Sequence, residues 1–240
     1  MFSVTSVIPI SGFADPFSSL SHLAGAVIFA VLSVPLLLRA RGQTDRFVGV
    51  AIFCFSAVLL LSISGVYHLL DPGGSAREVL RRLDHAAIFV LIAATFTPAH
   101  VLLFRGWGKW GMLALIWTYA VVAISLKTAF FNQVSAGLGL TLYLGMGSIG
   151  LYSVISLWRR YGFEFIRPIL WGGIAYSMGG ILEALRWPVL VPGVIQWHET
   201  FHVAVLIGLA FHWSFIYHIA DGSVPATTIP EKPDLLAARR

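Results

Sequence analysis

Residues Trp197–His212 read WHETFHVAVLIGLAFH. From Val203 onward the run is apolar on nearly every side, as a helix in lipid must be. Just before it, His198 and His202 stand four apart, one helical turn, so both rings leave the same face. With Glu199 between them they match H-E-x-x-H, the helix signature of zinc proteases. The stretch predicts a membrane helix with a pair of metal ligands at one end. It leaves open what such a metal would do.

The rest of the chain repeats the apolar part of that pattern. Of its 240 residues 58% are hydrophobic and only 11% charged, against about 25% charged in a soluble domain. Seven continuous apolar runs fall near residues 18–38, 47–70, 84–104, 110–126, 136–157, 168–185 and 195–219. They do not alternate as the strands of a membrane β-barrel would. Helices satisfy their own backbone in lipid, so the predicted fold is an all-α membrane protein, a seven-transmembrane helix bundle. Residues 1–17 form an N-terminal segment and 18–220 the bundle. Residues 221–240, polar and proline-containing, read as a disordered tail. The opening MFSVTSVIPISGFADPF lacks the basic start of a cleaved signal peptide. Cys54, the single cysteine, excludes an intrachain disulfide or a thiolate cluster and reads as an inert buried thiol. Glycines crowd the fifth and sixth runs, as they do where membrane helices approach closely.

The net charge of +5 does not point to nucleic acid, because the basic residues sit in loops between apolar runs, where they meet lipid headgroups and set orientation. Seven spans put the termini on opposite faces. The N-terminal face carries Arg77, Arg81, Arg82, Lys127 and Arg186, five basic residues against eleven on the other. The positive-inside rule then predicts the N-terminus outside and the C-terminus in the cytoplasm.

Ionisable groups inside spans are costly and mark function by default. Of the eight histidines, His22, His68, His85, His198 and His202 lie toward the N-terminal face, with Asp84 and Glu183. His68 would add a third imidazole to His198 and His202, giving a three-histidine zinc site with one position open for water or substrate. Such zinc lowers the pKa of its water to about 7. Asp84 is placed to serve as base or acceptor for that water. Ser64, one turn before His68, is placed to orient it, or else to bond back to its own helix. His85, weighed against His68 as the third ligand, is expected instead to snorkel or bond to its loop, and Glu183 to pair with Arg186 three residues on or else to stand at the rim of the cavity. His212, ten residues beyond His202, is too far along the helix to share the ion, and His100 and His218 read as polar contacts.

SGVYH ending the second run, LDHAAIFVLIAATFTP opening the third and HETFHVAVLIGLAFH in the last resemble the hemolysin III proteins, the bacterial branch of the progestin and adipoQ receptor family. The specific part is the order Ser-x-x-x-His, Asp, His-x-x-x-His. The resemblance covers nearly all the spans and implies seven helices with an intramembrane zinc site. It implies His68, His198 and His202 as metal ligands, with Asp84 and Ser64 beside the zinc-bound water. It also implies an integral protein of a bacterial inner membrane. A wider group containing this family includes zinc-dependent ceramidases. In the animal receptors the N-terminus and the zinc lie on the cytoplasmic side, opposite to the charge count here.

Three functions follow as expectations. The first is a zinc-dependent intramembrane hydrolase of a lipid amide or ester, its substrate entering the bundle cavity from the bilayer. The second is a non-enzymatic pore-forming hemolysin or lipid receptor with structural zinc. The third is an H-E-x-x-H intramembrane protease with Glu199 as base and Asp71 as a further ligand, a role that leaves His68 and Asp84 without purpose.

Overall fold

The computed structural model describes residues 6–227. The start of the N-terminal segment, residues 1–5, and the tail from 228 to 240 lie outside the described residues.

Helices account for all the regular secondary structure described: α1 (Pro16–Arg39), α2 (Thr44–Leu69), α3 (Ser75–Leu103), α4 (Trp107–Ala129), α5 (Ala136–Ser148), α6 (Gly150–Tyr161), α7 (Phe163–Leu185) and α8 (Trp197–Ile219). Pro16 starts α1, where its missing N–H costs nothing. Ser135 caps α5, its hydroxyl accepting from the Leu138 N–H at 3.2 Å. Ile149, the one residue between α5 and α6, keeps helical angles (φ −55°, ψ −30°), so the two run on as one rod. Gly162 at φ +83° then turns the chain into α7.

Six of these rods are long and apolar enough to cross a membrane: α1, α2, α3, α4, the α5–α6 rod and α8. Their outward side chains are apolar too, with Val27, Ile28, Val31 and Val34 of α1 all exposed. Together they make the chain an integral membrane protein. Except for α8, the described helices extend past the apolar runs, most of all α3, which begins at Ser75 rather than near 84. Its first turns, AREVLRR, are good helix formers that simply lie outside the apolar slab.

Helices α1, α2, α3 and α4 pack in sequence, α7 lies along α8, and α8 closes against both α1 and α3. One apolar cluster joins α1, α2, α3, α6, α7 and α8, and a second joins α3, α4 and α5. Glycines set the closest approaches: a Cβ at Gly179 would lie 2.6 Å from Ala204, and one at Gly65 2.7 Å from Leu23. This arrangement brings the C-terminal end of α2, the N-terminal part of α3 and the start of α8 together at one end of the bundle.

Candidate metal centre

His68 ends α2, and His198 and His202 begin α8. Their Nε2 atoms converge. His198 Nε2 lies 3.3 Å from that of His68 and 3.2 Å from that of His202. A tetrahedral ion with Zn–N bonds of ~2.0–2.1 Å would separate its ligand nitrogens by about 3.3 Å. His68 and His202 are buried, and His198 sits at the rim.

The far side of two of these rings explains the direction of their lone pairs. His68 Nδ1 stands 2.9 Å from Asp15 Oδ2, and His198 Nδ1 stands 3.2 Å from Glu183 Oε1. A carboxylate can only accept, so each Nδ1 carries a proton, and in the neutral form of each ring the inward-facing Nε2 is a bare lone pair. Lone pairs facing one another at such range repel unless a cation lies between them. The three histidines can therefore hold a metal ion, and carboxylate–histidine pairs of this kind orient metal ligands and raise their basicity. The third ring, His202, stacks on His22 with centroids 3.9 Å apart.

Asp15 reaches His68 because the segment before α1 pairs with the end of α2. The Asp15 N–H donates to the His68 carbonyl at 2.9 Å, and the Ala14 N–H to that of Leu69 at 3.2 Å. Arg77 donates to the same Asp15 oxygen at 2.7 Å and also to the Leu70 carbonyl. Burial pushes the Asp15 carboxyl up, but the bonds and charges of His68 and Arg77 outweigh it and hold the carboxyl below its ordinary value. Asp15 was not among the residues expected from sequence. Its one signal was a carboxylate before a proline, on the same predicted face as His68.

The remaining expected residues fall into place around this trio. Ser64 and Asp84 face one another across α2 and α3, and Asp84 lies within electrostatic reach of His198. Glu183 bonds to His198 and forms no ion pair with Arg186 among the described residues, a correction to the local pairing predicted from their spacing. Arg186 instead ends α7 at φ +51°, its N–H donating to the Glu183 carbonyl. His85 donates to the Arg81 carbonyl at 2.8 Å, one turn back within α3 rather than to a loop, and is not one of the converging groups. His100 bonds at 2.7 Å to the Gly108 carbonyl and at 2.8 Å to the Ser153 hydroxyl, a pin between helices. His212 is buried against Tyr176, with ring centroids 5.4 Å apart.

Glu199 is occupied. One carboxylate oxygen accepts the Gln196 N–H at 3.0 Å, half of a capping box at the start of α8. The other accepts the Ser18 hydroxyl at 3.1 Å, tying α8 to α1. The residue is 1% exposed, and each of its oxygens already accepts a structural hydrogen bond, which favours a capping role over that of a protease base. Asp71 is exposed in the loop after α2 and is not one of the converging groups.

A sequence profile described as "Haemolysin-III related" matches residues 13–213, a span that contains every residue of the centre. Hemolysin-3 of Bacillus cereus is 28% identical over 183 residues, covering 75% of this chain and 82% of that protein. The Hemolysin-3 homolog of Bacillus subtilis is 28% identical over 166 residues, covering 68% and 77%. Heptahelical transmembrane protein 5 of Arabidopsis thaliana is 30% identical over 206 residues, covering 77% of this chain and 52% of its own length. The chain thus spans about half of that plant relative.

Proposed function

Because the chain belongs to the haemolysin-III-related family, we propose that it is a seven-span membrane hydrolase that cuts an amide or ester bond of a lipid at a zinc ion held by His68, His198 and His202. The observation that carries this is the convergence of three inward-facing Nε2 atoms beside a carboxylate, Asp84, from another helix. The seventh span is α7. Its 23 residues, at 1.5 Å each, are long enough for a core of ~30 Å.

Three neutral imidazoles suit zinc among the divalent ions and leave a fourth position free. Zinc bound there supplies Lewis acidity, polarising a carbonyl and bringing a water's pKa to about 7. The chain's own groups do the rest. Asp15 and Glu183 hold two ligand rings in the tautomer that binds. Asp84 takes the proton from the attacking water. The water oxygen bonds to the carbonyl carbon, the C–N or C–O bond breaks, and Asp84 returns the proton to the leaving nitrogen or oxygen. Ser64 holds the Asp84 carboxyl in position. The products are a fatty acid and an amine or alcohol.

The test is turnover of a panel of N-acyl and O-acyl lipids by purified, zinc-loaded protein, with Asp84→Ala alongside. Wild-type protein inert on the whole panel would overturn the hydrolase. A second function draws on the name of the Bacillus relatives: a cytolytic pore in which the metal is structural. Leakage of liposome contents that persists in His68→Ala would favour the pore over the enzyme. In either case the excess of basic residues on the opposite face supports an orientation with the metal centre outside.

A further inference from the structure

Phe131, in the turn after α4, stands among three cations. The Arg81 and Arg82 guanidinium carbons lie 4.7 and 5.5 Å from its ring centroid, and the Lys127 ammonium 5.2 Å. Phe131 and Lys127 are buried, at 9% and 6% exposure. The ring attracts each cation weakly through its quadrupole and neutralises none of them. Among the described residues Arg81 has one carboxylate partner, Glu78 at 2.8 Å, and neither Arg82 nor Lys127 forms a salt bridge. Asp84 is close in sequence, but the groups that act on it are Ser64 and His198, and it forms no salt bridge with these cations among the described residues. Arg77 belongs to Asp15. Three like charges are thus gathered with one carboxylate, Glu78, paired to them.

The surroundings point to what balances them. Leu126, Phe130 and Leu138, on the same corner of the bundle, are 44%, 52% and 49% exposed. Gly139 of α5 faces the Lys127 ammonium, where a Cβ would come within 3.2 Å of it. The cations therefore lie where α3, α4 and α5 meet, beside apolar side chains exposed on the outside of the bundle. We propose that Arg81, Arg82 and Lys127 around Phe131 form a binding site for the phosphate of an anionic membrane lipid. The guanidinium forks match phosphate oxygens and the ammonium adds a point charge. The acyl chains run along Leu126, Phe130 and Leu138, surfaces for which a free phosphate would have no use. His85 joins this site to the metal centre: its ring bonds to the Arg81 carbonyl and meets Phe131 edge-on at 5.3 Å. A lipid held there braces the turn of α3 that carries Asp84. The site does not depend on the hydrolase function.

The full chain, in nanodiscs of neutral phosphatidylcholine, is titrated with phosphatidylglycerol while its thermal unfolding midpoint is followed. Wild type and Arg105→Gln, a change at the opposite end of the bundle, should rise together. Arg82→Gln/Lys127→Gln should need about tenfold more anionic lipid for the same rise. An equal response from the double variant overturns the site, and so does an equal rise with inorganic phosphate alone, which would make the occupant a free anion. Native mass spectrometry of the wild type released from mixed lipid needs no variant to fold. Preferential retention of phosphatidylglycerol supports the site, and equal retention of the two lipids overturns it.

Discussion

Asp15 Oδ2 and His68 Nδ1 lie 2.9 Å apart, across a join between the segment before α1 and the end of α2. The carboxylate fixes the proton on Nδ1 and leaves Nε2 free for metal. Asp15→Asn keeps the shape but loses the charge, and its amide can present an N–H to the ring and favour the wrong tautomer. Removal of such a partner typically lowers metal affinity about 10- to 100-fold. Competition with a zinc chelator, on detergent-purified protein, measures it. Unchanged affinity would mean that Asp15 only ties α1 to α2.

Metal binding and chemistry should separate cleanly between helices. His68→Ala removes one of three ligands, and zinc content should fall to background by elemental analysis. Asp84→Asn leaves all three imidazoles in place. It should retain zinc while lipid hydrolysis drops by about 10²- to 10⁴-fold, the range for loss of a general base. A variant at Asp84 that loses zinc as fully as His68→Ala would make the carboxylate a ligand and remove the proposed base.

These residues were legible in the sequence for a physical reason. A histidine or aspartate inside an apolar run has a high cost in lipid, so His68, Asp84, His198 and His202 stand out against their neighbours, and Ser64 follows from its place one turn before His68. Asp15 does not, and Glu183 stands out without its partner being legible. Asp15 sits just outside the first apolar run, and its role arises from a backbone pairing between Ala14–Asp15 and His68–Leu69 that no spacing encodes. Glu183 had a nearer partner on offer in Arg186, and only the packing of α7 on α8 brings it to His198. The extent of α3 was hidden in the same way: hydropathy reports the slab, while α3 continues nine residues beyond the apolar run into the interface.

Glu199 separates the capping role from the protease role. Glu199→Gln keeps an oxygen for the Gln196 N–H, since glutamine also serves in a capping box, and turns its amide N–H toward the Ser18 hydroxyl, whose oxygen can accept instead. It should keep zinc and most of the activity. Glu199→Ala strands both donors in a buried place and should destabilise the protein by about 1–3 kcal/mol, read as a lower unfolding midpoint with zinc stoichiometry intact. A protease base would behave in the opposite way, with Glu199→Gln fully folded and inactive.

The approach of α1 to α2 sets the position of both Ser64 and His68, and Gly65 between them is the contact. A Cβ there would lie 2.7 Å from Leu23 Cγ and 3.0 Å from the Leu23 backbone nitrogen. A side chain can rotate away, but a helix backbone cannot. Gly65→Ala should therefore force the helices apart at a cost of about 1–3 kcal/mol, as overpacking does. Gly173→Ala meets nothing within 4 Å and should be neutral or slightly stabilising through helix propensity. Leu23→Ala added to Gly65→Ala relieves the side-chain clash and leaves the backbone one, so the unfolding midpoint should recover in part and zinc affinity less. Full recovery of both would show that the backbones have more room than their 3.0 Å contact allows.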